Sequence, residues 1–245
     1  MLTAFRCDLH IHTCLSPCAE LDMYPRSIVA RAIQKKLDVI AICDHNAGEN
    51  VAFVQQSVKG GPLVVLPGME LTSREEVHTL AIFDNLQGLT SLQDVVYEHL
   101  SGCNSENIFG CQAIVNERDE VEGFNEHLLI GATDLTLRDL IGHIHRLGGL
   151  AIASHIDRES FSVIGQLGFI ADDMDFDALE VTRRIGLHEA RRRFPDLIRR
   201  SFLVSSDAHF VRDIGLGYTD IVIEEVSVKE LKMAFEHQEG RYIRE

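Results

Sequence analysis

Asp8-Leu9-His10-Ile11-His12 closes the first apolar stretch of the chain. In a β-strand, residues i and i+2 point to the same face. The segment Thr3–His12 reads as a strand, with Leu9 and Ile11 on one side and His10 and His12 together on the other. Two imidazoles side by side are costly to bury and suited to binding a cation, because neutral imidazole is a ligand for zinc and related metals. More ligand-type residues follow at later strand ends. Asp44-His45-Asn46 follows a second strand, Glu70 a third, Ser154-His155 a later one, and Asp207-Ala208-His209 the last of this set. Glu180 lies within its own short strand. His78 stands near the start of the fourth apolar run, the opposite end from the others. Six of the twelve histidines thus sit at or beside strand ends, joined by Glu70 and Asp207. Together they point to a metal site.

The chain carries an internal control. His143-Ile144-His145 repeats the spacing of the opening pair, but inside the helical pattern Leu137, Leu140, Ile141, Ile144, Leu147. On a helix, residues two apart diverge by about 200°. Those two histidines are expected at the helix surface and edge, away from any shared ion.

The elements that must position the ligands alternate. Strands are expected at Phe5–Ile11, Asp38–Cys43, Leu63–Leu66, Val77–Phe83, Leu150–Ala153, Ala178–Val181 and Phe202–Ser205. Helices are expected after Pro25, over Thr90–Leu100, from the Thr136–Asp139 capping pattern to Leu147, and over Val228–Phe235. Repeated β-then-α units imply parallel strands with right-handed crossovers. About seven such units in 245 residues suit a distorted (β/α)7 TIM-like barrel, with the ligands at the C-terminal ends of its strands. No Gly-x-Gly-x-x-Gly follows the first strand, which argues against a dinucleotide-binding open sheet. The alternation breaks between about residues 102 and 134, where a hairpin or small insertion is expected within a single domain spanning 1–245.

Composition narrows the function. Hydrophobic residues make up 45% of the chain, enough for a sizeable core, and no apolar run approaches a membrane span. The start of the chain lacks the pattern of a signal peptide. A cytoplasmic protein with no membrane partner is the expectation. The net charge of −15 argues against stable nucleic-acid binding, which usually needs a basic face. An anionic small substrate stays compatible with it, since bound cations reverse the local potential. Of the six cysteines, Cys7 and Cys43 fall in apolar strands, while Cys14 and Cys18 follow the histidine pair directly.

These motifs, in this order, resemble the PHP family (polymerase and histidinol phosphatase domains). The matching stretches are Asp8-Leu9-His10-Ile11-His12, Ile42-Cys43-Asp44-His45-Asn46, Gly68-Met69-Glu70, Val77-His78-Thr79-Leu80, Ala153-Ser154-His155 and Ser205-Ser206-Asp207-Ala208-His209, trailed by Ile214-Gly215-Leu216-Gly217-Tyr218-Thr219. The resemblance implies a distorted seven-stranded barrel holding two or three divalent metal ions, with zinc, manganese and iron equally compatible with the ligand types. It implies His10, His12, Glu70 and Asp207 on a first metal. A second would take Glu70, His78 and His155, with Glu70 bridging. A third would take His45, His209 and one ligand from the loop Thr13–Glu20. Glu20 is the expected loop ligand, with Cys18 the runner-up.

Clustered divalent cations suit phosphate ester hydrolysis. A metal lowers the pKa of bound water to about 7, giving hydroxide at neutral pH, and neutralises the phosphoryl oxygens. The leading expectation is a phosphoesterase acting on a small phosphorylated substrate, such as a nucleotide or sugar phosphate. Amidohydrolase-like C–N hydrolysis and a non-catalytic metal-bound nucleotide-binding module are the alternatives. Glu70, Asp207 and His209 stand nearest the chemistry, and no separate general acid is identified. Arg158, Arg183 and Arg184, just beyond strand ends, are the candidates for gripping phosphate. Asp8 and Asp44 are candidates either to accept the second N–H of a ligand imidazole or to serve a turn or cap.

Overall fold

The computed structural model describes residues 1–58 and 60–244. The first half of the chain forms β1 (Thr3–Ile11), α1 (Pro25–Gln34), β2 (Val39–Ile42), α2 (Val51–Val58), β3 (Val64–Thr72), β4 (His78–Ile82), α3 (Leu86–His99), α4 (Glu106–Phe109), β5 (Ala113–Val115) and β6 (Val121–Phe124). The second half forms α5 (Leu137–Arg146), β7 (Leu150–Ala153), α6 (Val163–Leu167), β8 (Ala178–Thr182), α7 (Gly186–Arg193), β9 (Phe202–Ser205), β10 (Thr219–Ile223), α8 (Val228–Phe235) and β11 (Tyr242–Arg244). Among the described residues, no helix is long and apolar enough to cross a membrane.

The wall of a nearly closed barrel runs β1-β2-β3-β4-β7-β8-β9, seven strands. The lower part of β1 pairs with β10 (Thr3 opposite Ile223, Cys7 opposite Thr219). Its upper end meets the segment after β9, where the His12 N–H donates to the Ala208 carbonyl at 3.0 Å and the Ala208 N–H to the His10 carbonyl at 3.3 Å.

Two apolar layers follow from the strand period of two. Inside the barrel lie Cys7, Leu9, Val39, Ala41, Leu66, Leu80, Leu150, Ile152, Ala178 and Leu203, with Leu231, Ala234 and Phe235 of α8 packed on them. Outside, Ile40, Ile42, Met69, Ala81, Ala151, Leu179 and Val204 meet the apolar stripes of the helices, among them Ile28, Val29 and Ala32 of α1. Pro25 starts α1, and the buried set Pro25, Ile28, Val29, Ala32 keeps the i, i+3, i+4, i+7 stripe. The capping box at Thr136–Asp139 starts α5 as its sequence predicts.

Two expectations change. The strands are not all parallel: β4 pairs antiparallel with both β3 and β7, and β10 and β11 are antiparallel as well. Between the end of β3 at Thr72 and the start of β4 at His78 lie too few residues for a crossover, which takes a dozen or more. Nor does β1 alternate evenly. Its register with β2 slips between Asp8 and Ile11, a β-bulge. Leu9 therefore joins the inner layer and Ile11 the outer one. A bulge re-aims side chains, and here it turns His10 and His12 toward the barrel mouth above Leu9.

The stretch 102–134 is an excursion holding α4 and the two-stranded β5–β6 sheet. It is tied to the loop after β1 by Asn50, whose amide donates to the Ala113 carbonyl at 3.1 Å and accepts from the Val115 N–H at 3.0 Å. Cys14 packs with Ala113 and Val115 there.

Gly68 faces inward on β3, directly below the ligands. A Cβ at this position would meet Cys43 Sγ at 2.7 Å and the Ile42 carbonyl oxygen at 2.9 Å. Gly68→Ala is expected to destabilise the fold by about 1–3 kcal/mol, read as a lowered urea midpoint with an unchanged slope.

Candidate metal centre

The barrel mouth gathers the ligand-type residues around one carboxylate. Glu70, 1% exposed, projects from β3 with its oxygens 3.4 Å from His10 Nε2, 3.5 Å from His12 Nε2, 3.3 Å from His45 Nδ1, 3.0 Å from His78 Nδ1 and 3.3 Å from His155 Nε2. Asp207 Oδ1 stands 3.4 Å from His10 Nε2, 3.3 Å from His12 Nε2 and 3.6 Å from His209 Nδ1. Three sets have all their ligand atoms within 4.8 Å of one another: His10, His12 and Glu70; His45, Glu70 and His78; and His12, His45 and His209. Glu70 belongs to two of them.

The antiparallel β4 explains His78. Its strand runs the other way, so its first residue lies at the same face as the last residues of its neighbours, with His78 opposite Thr72. Other ligands depend on turns taken at strand ends. Asn46, His155 and Asp207 all have left-handed backbone, at φ 50°, 29° and 49°. Such residues cost on the order of 1–3 kcal/mol each and persist where the surroundings hold them. Asn46 is held by its amide, which donates to the carbonyls of Leu129 and Gly131 and accepts from the Thr72 N–H.

The residues fit divalent cations. Glu70 Oε1, His45 Nδ1 and His78 Nδ1 are buried, face one another and have no hydrogen bond among the described residues. Buried polar atoms are almost always satisfied, and a shared cation satisfies all three. The charges agree. Burial works against ionising Glu70, but His78 and His10 outweigh it and hold its carboxyl well below the usual range. Burial likewise opposes ionisation of Asp207, and His10 and His12 overcome it. Burial, together with His209, pushes His12 down to about 4, and burial pushes His45 down as well. Burial lowers His10 too, yet Glu180, Glu70 and Asp207 win and raise it.

Of the two roles open to Asp8 and Asp44, the structure shows the turn. Asp8 accepts from the backbone N–H groups of Ser206 and Gly215, and so shapes the turn that carries Asp207 and His209. Asp44 accepts from the Thr13 N–H and hydroxyl and from the Ser16 hydroxyl, which also meets His12 Nδ1 at 3.0 Å. The carboxylate that touches a ligand imidazole directly is Glu180, 3.1 Å from His10 Nδ1, and it also accepts the His155 N–H. A carboxylate only accepts, so Nδ1 carries a proton toward Glu180, and a bound cation would take the place of the second proton on Nε2, which faces Glu70 and Asp207. The inward parity of β8, with Ala178 inside and Leu179 outside, is the sequence signal for this role.

Glu20 stands apart. It is exposed and in none of the three ligand sets, though its backbone N–H donates to the His209 carbonyl at 3.0 Å. Cys18, exposed at the surface, is in none of them either. The helical control holds: His145 Nε2 meets Asp177 at 2.9 Å on α5, away from the cluster.

A cleft of about 810 Å³ opens beside the cluster, bordered by His155, Asp207 and His209. Arg158, Arg183 and Arg184 all line it, with Arg193, which the sequence did not single out. Arg158 Nη2 donates to Asp207 Oδ2, and Arg183 lies 3.4 Å from Asp213.

Comparison with known proteins agrees with this geometry. The PHP domain model matches residues 8–180, and the PHP-associated model matches residues 192–239. No curated protein sequence matches the chain. Among solved structures, the lesion-specific endonuclease PfuEndoQ from Pyrococcus furiosus superposes with a TM-score of 0.73 at 17% identity, over 98% of this chain and 58% of that one. Endonuclease Q in complex with a 27-mer duplex substrate carrying an abasic lesion gives 0.69 at 16% identity, again over 98% and 58%. This chain therefore spans 58% of the length of those endonucleases. A Bifidobacterium adolescentis protein proposed to be a metal-dependent phosphoesterase gives 0.56 at 17% identity, over 83% and 87%. The expected partner, a small phosphorylated molecule with nucleic acid set aside, is corrected here. Endonuclease Q carries a duplex substrate on this fold. Net charge is a property of the whole chain and does not place its charges, whereas the cleft beside the cluster gathers four arginines among the carboxylates of Asp157, Glu159, Glu180, Asp207 and Asp213.

Glu180→Gln keeps the size of the side chain and removes its charge. It is expected to weaken metal affinity about 10- to 100-fold, measured by competition with a coloured chelator, while the far-ultraviolet circular dichroism stays unchanged.

Proposed function

The chain belongs to the PHP family and is a metal-dependent hydrolase, and from that premise we propose that it cleaves phosphoester bonds in a nucleic-acid strand. The observation that carries this reading is the arginine-lined cleft opening directly on the ligand cluster. Its volume of about 810 Å³ suits a nucleotide with its flanking phosphates. A cytosolic setting belongs to the same reading.

His10, His12, His45, Glu70, His78, His155, Asp207 and His209 would hold the cations. Bound divalent ions would supply Lewis-acid stabilisation of the phosphoryl oxygens and a water ready to lose its proton. The protein does the rest. Glu180 fixes the His10 ring and the Nδ1 position of its proton. The His209 Nδ1–H donates to the Asp207 carbonyl at 3.0 Å, which leaves Nε2 for the set shared with His12 and His45. Arg158, anchored on Asp207, places a fixed positive charge at the edge of the cluster. Arg183, Arg184 and Arg193 continue that charge along the cleft, where they would neutralise neighbouring phosphates. The chain as a whole carries −15, so its affinity for a polyanion would rest on these arginines and on cations bound at the cluster.

Labelled single-stranded, duplex and abasic-lesion oligonucleotides, incubated with the manganese- or zinc-loaded protein, test the reading. Cleavage on denaturing gels that EDTA abolishes and added metal restores is the expected result, with none from His12→Ala. Well-metallated protein that leaves every strand intact would overturn it. Arg184→Ala is expected to weaken binding and to reduce the slope of log K against log salt by about 0.7 for a single strand, measured by fluorescence anisotropy at several salt concentrations.

A further inference from the structure

Phe161 holds a position that packing alone does not account for. It is 43% exposed, yet it borders the cleft that opens on the metal centre. Its backbone is left-handed, at φ 58°, where a bulky side chain is an outlier and glycine would sit without strain. The conformation is held from several sides. The Phe161 carbonyl accepts the His78 N–H at 2.8 Å. The next residue, Ser162, caps α6 by accepting the Gly165 N–H, and its hydroxyl donates to the Arg158 carbonyl at 2.6 Å. Earlier in the same loop, the Asp157 carboxylate takes the N–H and hydroxyl of Thr182 at 2.7 and 2.6 Å. The loop is thus pinned to β4, α6 and β8. It presents a guanidinium at Arg158 and an aromatic ring three residues later.

The ring is stacked on one side only. Its centroid lies 4.7 Å from that of His78, with 20° between the planes. The imidazole covers one face, and the exposed remainder fronts the cleft with Arg158, Arg183 and Arg184. A rigid ring with a free surface beside cations that suit phosphates matches the two halves of a nucleotide. Bases stack on such rings whatever their sequence, while neighbouring arginines can hold the phosphates. We propose that Phe161 is a stacking platform for an unpaired base of a nucleic-acid substrate, the ring standing between that base and His78 at the edge of the metal centre. The assignment rests on the nucleic-acid reading of the site.

The test uses the full chain and single-stranded oligodeoxynucleotides with 2-aminopurine, whose emission falls on stacking, placed at successive positions. Binding is read in calcium by emission and anisotropy, and cleavage of the same strands is read separately in manganese. Wild-type protein is expected to quench one position strongly. Phe161→Ala is expected to lose that quenching and to raise Kd by about 5- to 150-fold. Phe161→Tyr and Phe161→Trp keep both. Phe161→Leu retains apolar cover over His78 and the folded state, so it isolates the ring's contribution and is expected to behave like the alanine variant. Unchanged quenching and Kd in the leucine variant, or a wild-type chain that quenches no position, would overturn the proposal. Phe161-dependent quenching without cleavage would remove the nuclease reading alone. Cleavage with quenching indifferent to residue 161 would remove this proposal alone.

Discussion

One buried carboxylate sets the terms for the whole barrel mouth. Glu70 lies within 3.5 Å of five imidazoles and has almost no contact with water. An ion so placed costs several kcal/mol unless opposite charge surrounds it. Rings can supply that charge only by taking protons, and a shell of crowded imidazolium ions would repel itself. Divalent cations resolve both problems, because neutral imidazoles and carboxylates can then all point at positive charge. The bulge in β1, the reversed β4 and the left-handed strand ends share one outcome. Each aims a side chain at this point from a different part of the wall.

Much of this was legible in the residues, because metal ligands are restricted in type. The His10/His12 pair, the paired motifs Asp44-His45 and Asp207-Ala208-His209, and their strand-end positions announce a cation site. What was lost lay in geometry that residue types do not encode. His78 looked misplaced only while β4 was taken as parallel, and the shortness of the link from Thr72 to His78 was the overlooked evidence. The bulge in β1 left no mark in the apolar pattern, because Leu9 and Ile11 are both buried, one in each layer. Glu180 looked like one more strand acid, and its bond to His10 needs the fold to be seen. Phe161 carried no motif at all. The reading of net charge failed for a different reason: a sum over the chain cannot show that four arginines line one cleft.

The site also divides stiffness unevenly. Below the ligands the barrel is filled with aliphatic side chains, which give no room for a carboxylate or imidazole to sink. At the ligands, hydrogen bonds accepted by Asp8, Asp44, Asn46 and Glu180 fix backbone turns and ring orientations. At the rim, on the His209 side, at Phe161 and along the arginine wall, side chains are partly free to meet another molecule. Preorganisation of this kind suits chemistry in which fixed charges act on a phosphate with little movement of the protein.

The pairing of the first strand has a consequence for the order in which the molecule comes into being. His10 and His12 lie close in sequence to β2, which pairs with β1, but far ahead of the other partners that orient it. Ala208 bridges its upper end, Ser206 and Gly215 satisfy Asp8, and β10 pairs with its lower half. Contacts so distant in sequence close late and slowly. A nascent chain therefore exposes a histidine pair whose geometry is not fully fixed until the segment 206–223 has been made. Selection of the metal falls to the finished barrel rather than to the first residues that could grasp it.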